Sequence, residues 1–177
     1  SRRRAAPGAA ERIADRICQR YRVRIGIGFE NSGGGMMDWN YYDTFIKISA
    51  DCPVERGVVP PEKKGGRTKP GIEYDLVSSN PYVYTQEELL FQTYVRHKGI
   101  PEEEMAARGE EIRAAFFSKP TACLRASMLP KKYGWGLHFD SEGRVALVPR
   151  ESEEYDRLAD EASSGLKVLA AMRNGKK

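Results

Sequence analysis

Two kinds of hydrophobic pattern divide this chain: aromatic and β-branched runs with a period near two, and apolar positions recurring every three or four residues. The first kind predicts four strands. Residues 39–48 contain Trp39, Tyr41, Tyr42, Thr44, Phe45, Ile46 and Ile48, a composition suited to a pleated, half-buried surface. Residues 72–77 form a shorter run of the same type, stopped by Ser78, Ser79, Asn80 and Pro81. In residues 133–139 an extended backbone would place Tyr133, Trp135 and Leu137 on one face and Gly134, Gly136 and His138 on the other. Asp140, Ser141, Glu142 and Gly143 then supply a turn into a fourth strand at residues 144–148.

The second pattern predicts helices, with start and stop signals attached. Thr85 followed by Glu88 is a capping box for a helix over residues 86–98, and Gly99 ends it. Pro101 with Glu102, Glu103 and Glu104 opens a second helix whose apolar side carries Met105, Ile112 and Phe116. Ser152 caps a third, through Tyr155, Leu158 and Ala162, and Ser163, Ser164 and Gly165 interrupt it before a short helical tail at residues 166–172. The resulting expectation is a single α+β domain with about four strands in a mainly antiparallel sheet and three to four helices. From Pro53 to Gly71, eight of 19 positions are Pro or Gly, which predicts a long loop.

Charge changes the picture at one place. Residues 1–35 carry eight Arg, no Lys and three acids, a net +5, so a chain total of +4 leaves residues 36–177 at −1. Arg-only basicity with Ala and Gly, and a Gly-Gly pair just before Met36 and Met37, point to a spurious or disordered leader, with the functional domain over residues 36–177. The competing reading is an amphipathic arm, because Ile13, Ile17, Tyr21 and Ile25 recur every four residues beside Arg12, Arg16, Arg20 and Arg24. No apolar run approaches the roughly 20 residues of a membrane span. Cys18, Cys52 and Cys123 are odd in number and far apart, which favours free thiols in a reducing, cytoplasmic setting.

Several segments carry a resemblance. Asn40 to Ile46 (NYYDTFI), Asp51-Cys52-Pro53, Asn80-Pro81-Tyr82, Cys123 to Ser127 (CLRAS) and Lys132 to His138 (KYGWGLH) are similar, in type and order, to a family of small bacterial proteins classed as a domain of unknown function. The resemblance spans roughly Met37 to Arg173 and implies a domain beginning at Met37. It implies no activity, cofactor or catalytic residue.

Candidate chemistry concentrates in Cys123, Arg125, Ser127, Lys131, Lys132, Tyr133, Trp135 and His138. Arg125 or Lys132 could hold an anion, with Ser127 beside them, and Trp135 could stack on a ring if the glycine face next to His138 is open. The plainer reading is that the aromatics are core and the glycines admit a neighbouring segment. A thiol mechanism would pair Cys123 with His138, the better placed of the two histidines, against the commoner role of free Cys as a small buried hydrophobe. Asp43 and Asp51 could share a strand face as paired acids. Lys63, Lys64, Gly65, Gly66, Arg67 and Lys69 could close over a phosphate, but lack the spacing of a phosphate loop. Zinc-type spacings are missing, and no metal or cofactor is expected. The leading expectation is a binding module for an anionic small molecule, a nucleotide or a protein partner near residues 125–138. The alternatives are a thiol-dependent enzyme using Cys123 and His138, and nucleic-acid binding through the leader and basic loop.

Overall fold

The computed structural model describes residues 40–175. The leader and its amphipathic pattern lie outside the described residues. Four strands form one mixed sheet in the order β3-β2-β1-β4, with β1 at Thr44–Lys47, β2 at Trp135–Phe139, β3 at Val145–Pro149 and β4 at Lys167–Ala170. β1 pairs with β2 and β2 with β3 in antiparallel register, while β1 and β4 run parallel. Six α-helices are described: α1 Lys69–Ser79, α2 Gln86–Lys98, α3 Glu102–Phe117, α4 Met128–Lys132, α5 Glu153–Ala159 and α6 Glu161–Ser164. The fold is α+β.

Two segments exchange type relative to the sequence expectation. Residues 72–77, expected as a strand, lie inside α1. Thr68 caps it by accepting the Gly71 N–H on its side chain, a Pro occupies the first turn, and Glu73 and Val77 fall four apart on the buried face. The cap and proline had been absorbed into the expected loop. Residues 166–172, expected as a helical tail, instead supply β4. Lys167 N–H donates to Asp43 O and Ala171 N–H to Lys47 O, both at 2.9 Å, so pairing across the whole chain overrides the helix preference of Lys, Leu and Ala.

Most other elements follow their local signals, but the helix expected through Ala162 ends at Ala159, because Asp160 leaves the helical conformation and caps α6 by accepting the Ala162 N–H, and α4 was not anticipated. Thr85 and Glu88 form the capping box reciprocally, and Gly99 ends α2 at φ 65°. Pro101 sits at the N-cap of α3, one position earlier than expected, and of its apolar residues Met105 is buried while Ile112 and Phe116 are half-buried. The Asp140–Gly143 turn is held by Asp140 Oδ1, which accepts from the N–H groups of Glu142 and Arg144. The first strand is shorter than expected, because Asp43 at φ 43° turns the chain before Thr44.

Alternation assigns the two sheet faces. Ile46, Leu137, Phe139 and Val145 join Leu76, Val77, Leu89 and Leu124 in the larger core. Phe45 and Val148 pack on the opposite face with Tyr155 and Leu158 of α5. No helix among the described residues is long and apolar enough to cross a membrane.

Candidate functional site

Trp135 does not stand open to a ligand. Its Nε1–H donates to Val58 O at 2.8 Å, and its ring lies 5.4 Å from that of Tyr74 on α1. A Cβ placed at Gly57 would come within 2.9 Å of that ring, so the loop backbone is pressed against the indole. Val58 N–H in turn donates to Tyr133 O, Gly57 N–H to Glu151, and Arg150 Nη1 to Val54 O. The first half of the expected long loop is thus tied to Trp135 of β2 and to the segments flanking the β2–β3 hairpin. Trp135→Phe keeps most of the ring and removes the donor, and should cost about 1 kcal/mol. Hydrogen exchange at the Val58 amide should accelerate while β2–β3 amides stay unchanged; equal protection in both proteins would show that the indole bond does not hold the loop.

The expected open glycine face is filled. Gly134 lies before β2 at φ 75°, where a Cβ would sit 2.3 Å from Arg56 O, and Tyr133 ends α4 rather than entering the strand. A Cβ on Gly136 would meet the Phe45 ring at 2.6 Å and Tyr155 at 2.9 Å. His138 is half-buried on that face, its Nδ1 2.8 Å from the Tyr82 hydroxyl. Burial lowers its pKa, against the opposing influence of Glu154, Asp140 and Asp43.

Cys123 is on the other side of the sheet. Burial together with the neighbouring Cys123 thiol pushes the Tyr41 phenol up to about 12. Tyr41 packs on Phe139, and Cys123 precedes Leu124 in the larger core, whereas His138 pairs with Phe45 on the opposite face. The sheet therefore separates the sulfur from the imidazole, and Cys123 and His138 do not form the expected thiol–imidazole pair. Arg125 is also engaged, with Nε donating to Ala170 O at 2.9 Å and its carbonyl accepting from Met172 N–H. Lys132 is exposed in the last turn of α4. The expected ligand residues Arg125, Ser127, Lys132, Trp135 and His138 do not converge on one site.

Ser127 and Cys123 do converge, with residues the sequence reading passed over. A cleft of about 130 Å³ is lined by Lys69, Pro70 and Glu73 of α1, Leu90 of α2, and Ala122, Cys123, Leu124, Ala126, Ser127 and Met128. Lys69, Ala122 and Met128 are exposed and mark its rim; Glu73, Leu90 and Leu124 are buried and form its floor. Glu73 is only 4% exposed. It accepts a hydrogen bond from the Ser127 hydroxyl, and that oxygen also caps α4 by accepting Leu129 N–H at 3.2 Å. Loss of solvation raises the Glu73 pKa, with the Ser127 bond and the Lys69 charge pulling the other way. The signal for this site was the Lys69, Glu73 spacing of four, which puts both on one helical face once Thr68 and Pro70 are read as a helix start.

The remaining candidates are accounted for locally. Asp51 lies in a turn beyond β1, accepting from Ser49 and Asn174, and shares no strand with Asp43. Lys63 and Gly66 close a tight, exposed turn, and Arg67 beyond it bonds Asp75 and Glu62. Among the described residues no three His, Cys, Asp or Glu side chains group as a metal site requires.

Comparison with known proteins adds the family and nothing finer. Residues 36–177 match the model of a family of unknown function (DUF6157), and the chain belongs to that family. No curated protein and no solved structure matches it.

Proposed function

We propose that this member of a family of unknown function is a binding module for a small molecule, seated in the cleft between α1 and residues 122–128. The observation that carries this reading is Glu73: a carboxyl kept on the floor of an otherwise largely apolar cleft, with one hydrogen bond to satisfy it. Burying such a group costs stability unless a partner meets it, and apolar walls with a few convergent polar groups are the usual form of a small-molecule site.

Size narrows the ligand. A volume of about 130 Å³ is close to the ~150 Å³ that houses a benzene-sized guest, so an occupant has on the order of six heavy atoms inside the cleft. A whole nucleotide exceeds this. The setting we propose is the reducing cytoplasm, supported by Cys52 and Cys123, which are both free thiols.

Cys123 lines the cleft and Cys52 does not, so the two thiols give a signal and an internal reference. The small-molecule fraction of an extract from the protein's own cells should slow iodoacetamide labelling of Cys123 several-fold and leave Cys52 unaffected. Ala122→Trp, which narrows the mouth from an exposed rim position, should remove the protection. Unchanged Cys123 labelling in the wild-type chain would overturn the reading.

A further inference from the structure

Building on that reading of the cleft, we propose that its ligand is a small organic cation, an alkylammonium or amidinium, whose N–H groups bond the Glu73 carboxylate at the cleft floor. An ionised carboxylate offers about four acceptor positions. Ser127 fills one, and its own oxygen is already committed to Leu129 N–H, so the Ser127 proton is directed at Glu73 and away from a ligand. The floor therefore presents acceptors. Leu90 and Leu124 beside them suit a short hydrocarbon body.

Charge decides between ligand classes. A carboxylate ligand would be drawn toward Lys69 at the rim, but on the floor it would meet Glu73 and would need a shared proton to stay there. A neutral alcohol could donate one hydrogen bond without offsetting the desolvated charge. A cation adds an opposite charge and further N–H donors to a buried carboxylate that, among the described residues, Ser127 alone meets at hydrogen-bond distance, the condition under which buried charge is tolerated. Among the described residues, the charged and titratable groups around this site are Lys69 on the same helix, Cys123 on the opposing segment, and Tyr41 and Arg125 beyond Cys123.

Proton linkage follows from the same geometry. Cation binding requires ionised Glu73, and burial holds that carboxyl above its ordinary value of 4.5. Affinity should therefore rise with pH until Glu73 is fully ionised, and the dependence should vanish in Glu73→Gln.

The test uses the full chain and three near-isosteric probes, n-butylammonium, butyrate and n-butanol, at matched ionic strength, read by Cys123 labelling and by titration calorimetry. The expected result is at least tenfold tighter binding of n-butylammonium than of the other two, with affinity rising from pH 5 to pH 8 in the wild type and flat in Glu73→Gln. Equal or better protection by butyrate or n-butanol would overturn the cationic ligand while upholding the cleft. Failure of all three probes to alter labelling, together with failure of the extract fraction, would overturn the cleft reading itself.

Discussion

Gly136→Val is expected to destabilise the domain by about 3 kcal/mol, at the upper end of what overpacking a close-packed core costs. Strand propensity alone argues the opposite, since valine favours β-structure and glycine weakens it. The surroundings decide the sign. A Cβ at this position falls 2.6 Å from Phe45 Cζ and 2.9 Å from Tyr155 Cε2, well inside any tolerable contact. Phe45 is fully buried and meets Tyr155 edge to face at 5.2 Å, and the Tyr155 hydroxyl accepts the Ile48 N–H at 3.0 Å. Neither ring can retreat without breaking a contact that joins α5 to the sheet. Thermal unfolding followed by circular dichroism should show a loss of roughly 6–12 °C. A midpoint at or above that of the wild type would mean that this face of β2 is open after all.

Glu73→Gln should act in the other direction, stabilising the domain at neutral pH by about 1–3 kcal/mol, the range for relieving a poorly satisfied buried polar group. Glutamine preserves the acceptor for Ser127 and removes the buried charge. The effect must also depend on pH. Burial raises the folded-state pKa of Glu73 above its value in the unfolded chain, so the folded state binds this proton more tightly. The contribution of Glu73 to stability is complete below the ordinary value of 4.5 and is lost as pH rises through the raised folded value. Wild type and variant should thus converge in acid and diverge toward neutrality. Urea unfolding at a series of pH values checks this, and a gap that is constant across the series would show that Glu73 does not titrate abnormally. A variant that is more stable yet no longer binds cations would identify Glu73 as a residue retained for function at the expense of stability.

How much of this was legible in the sequence depended on how far away each determinant lay. The β2–β3 hairpin and α2 were readable because their signals, the Asp140–Gly143 turn and the Thr85, Glu88 box, sit next to the elements they define. Residues 72–77 were misread although a local cue existed, since Thr68 and Pro70 were counted as loop composition before being weighed as a helix start. Residues 166–172 carried no such cue: only the β1 backbone, more than a hundred residues earlier, makes them a strand. The site divides in the same way. Cys123 and Ser127 were recognisable as reactive types, and the filled glycine face was one of two readings already open. Glu73 was hidden because the residues that bury it come from α2 and from residues 122–128, and no window of sequence brings them together.

The central place of β1 also bears on how the protein is made. β1 leaves the ribosome first, yet its antiparallel partner β2 emerges roughly ninety residues later, a delay of about 5–20 s at ordinary rates of translation. Its parallel partner β4, beginning at Lys167, follows later still. During that interval Phe45 and Ile46 belong to a nascent strand with neither neighbour available, which is the condition under which chaperones engage and wrong pairings form. The sheet is thereby completed only once β4 has emerged, so a truncated product that ends before residue 167 would carry an unprotected β1 edge and be a natural target for quality control.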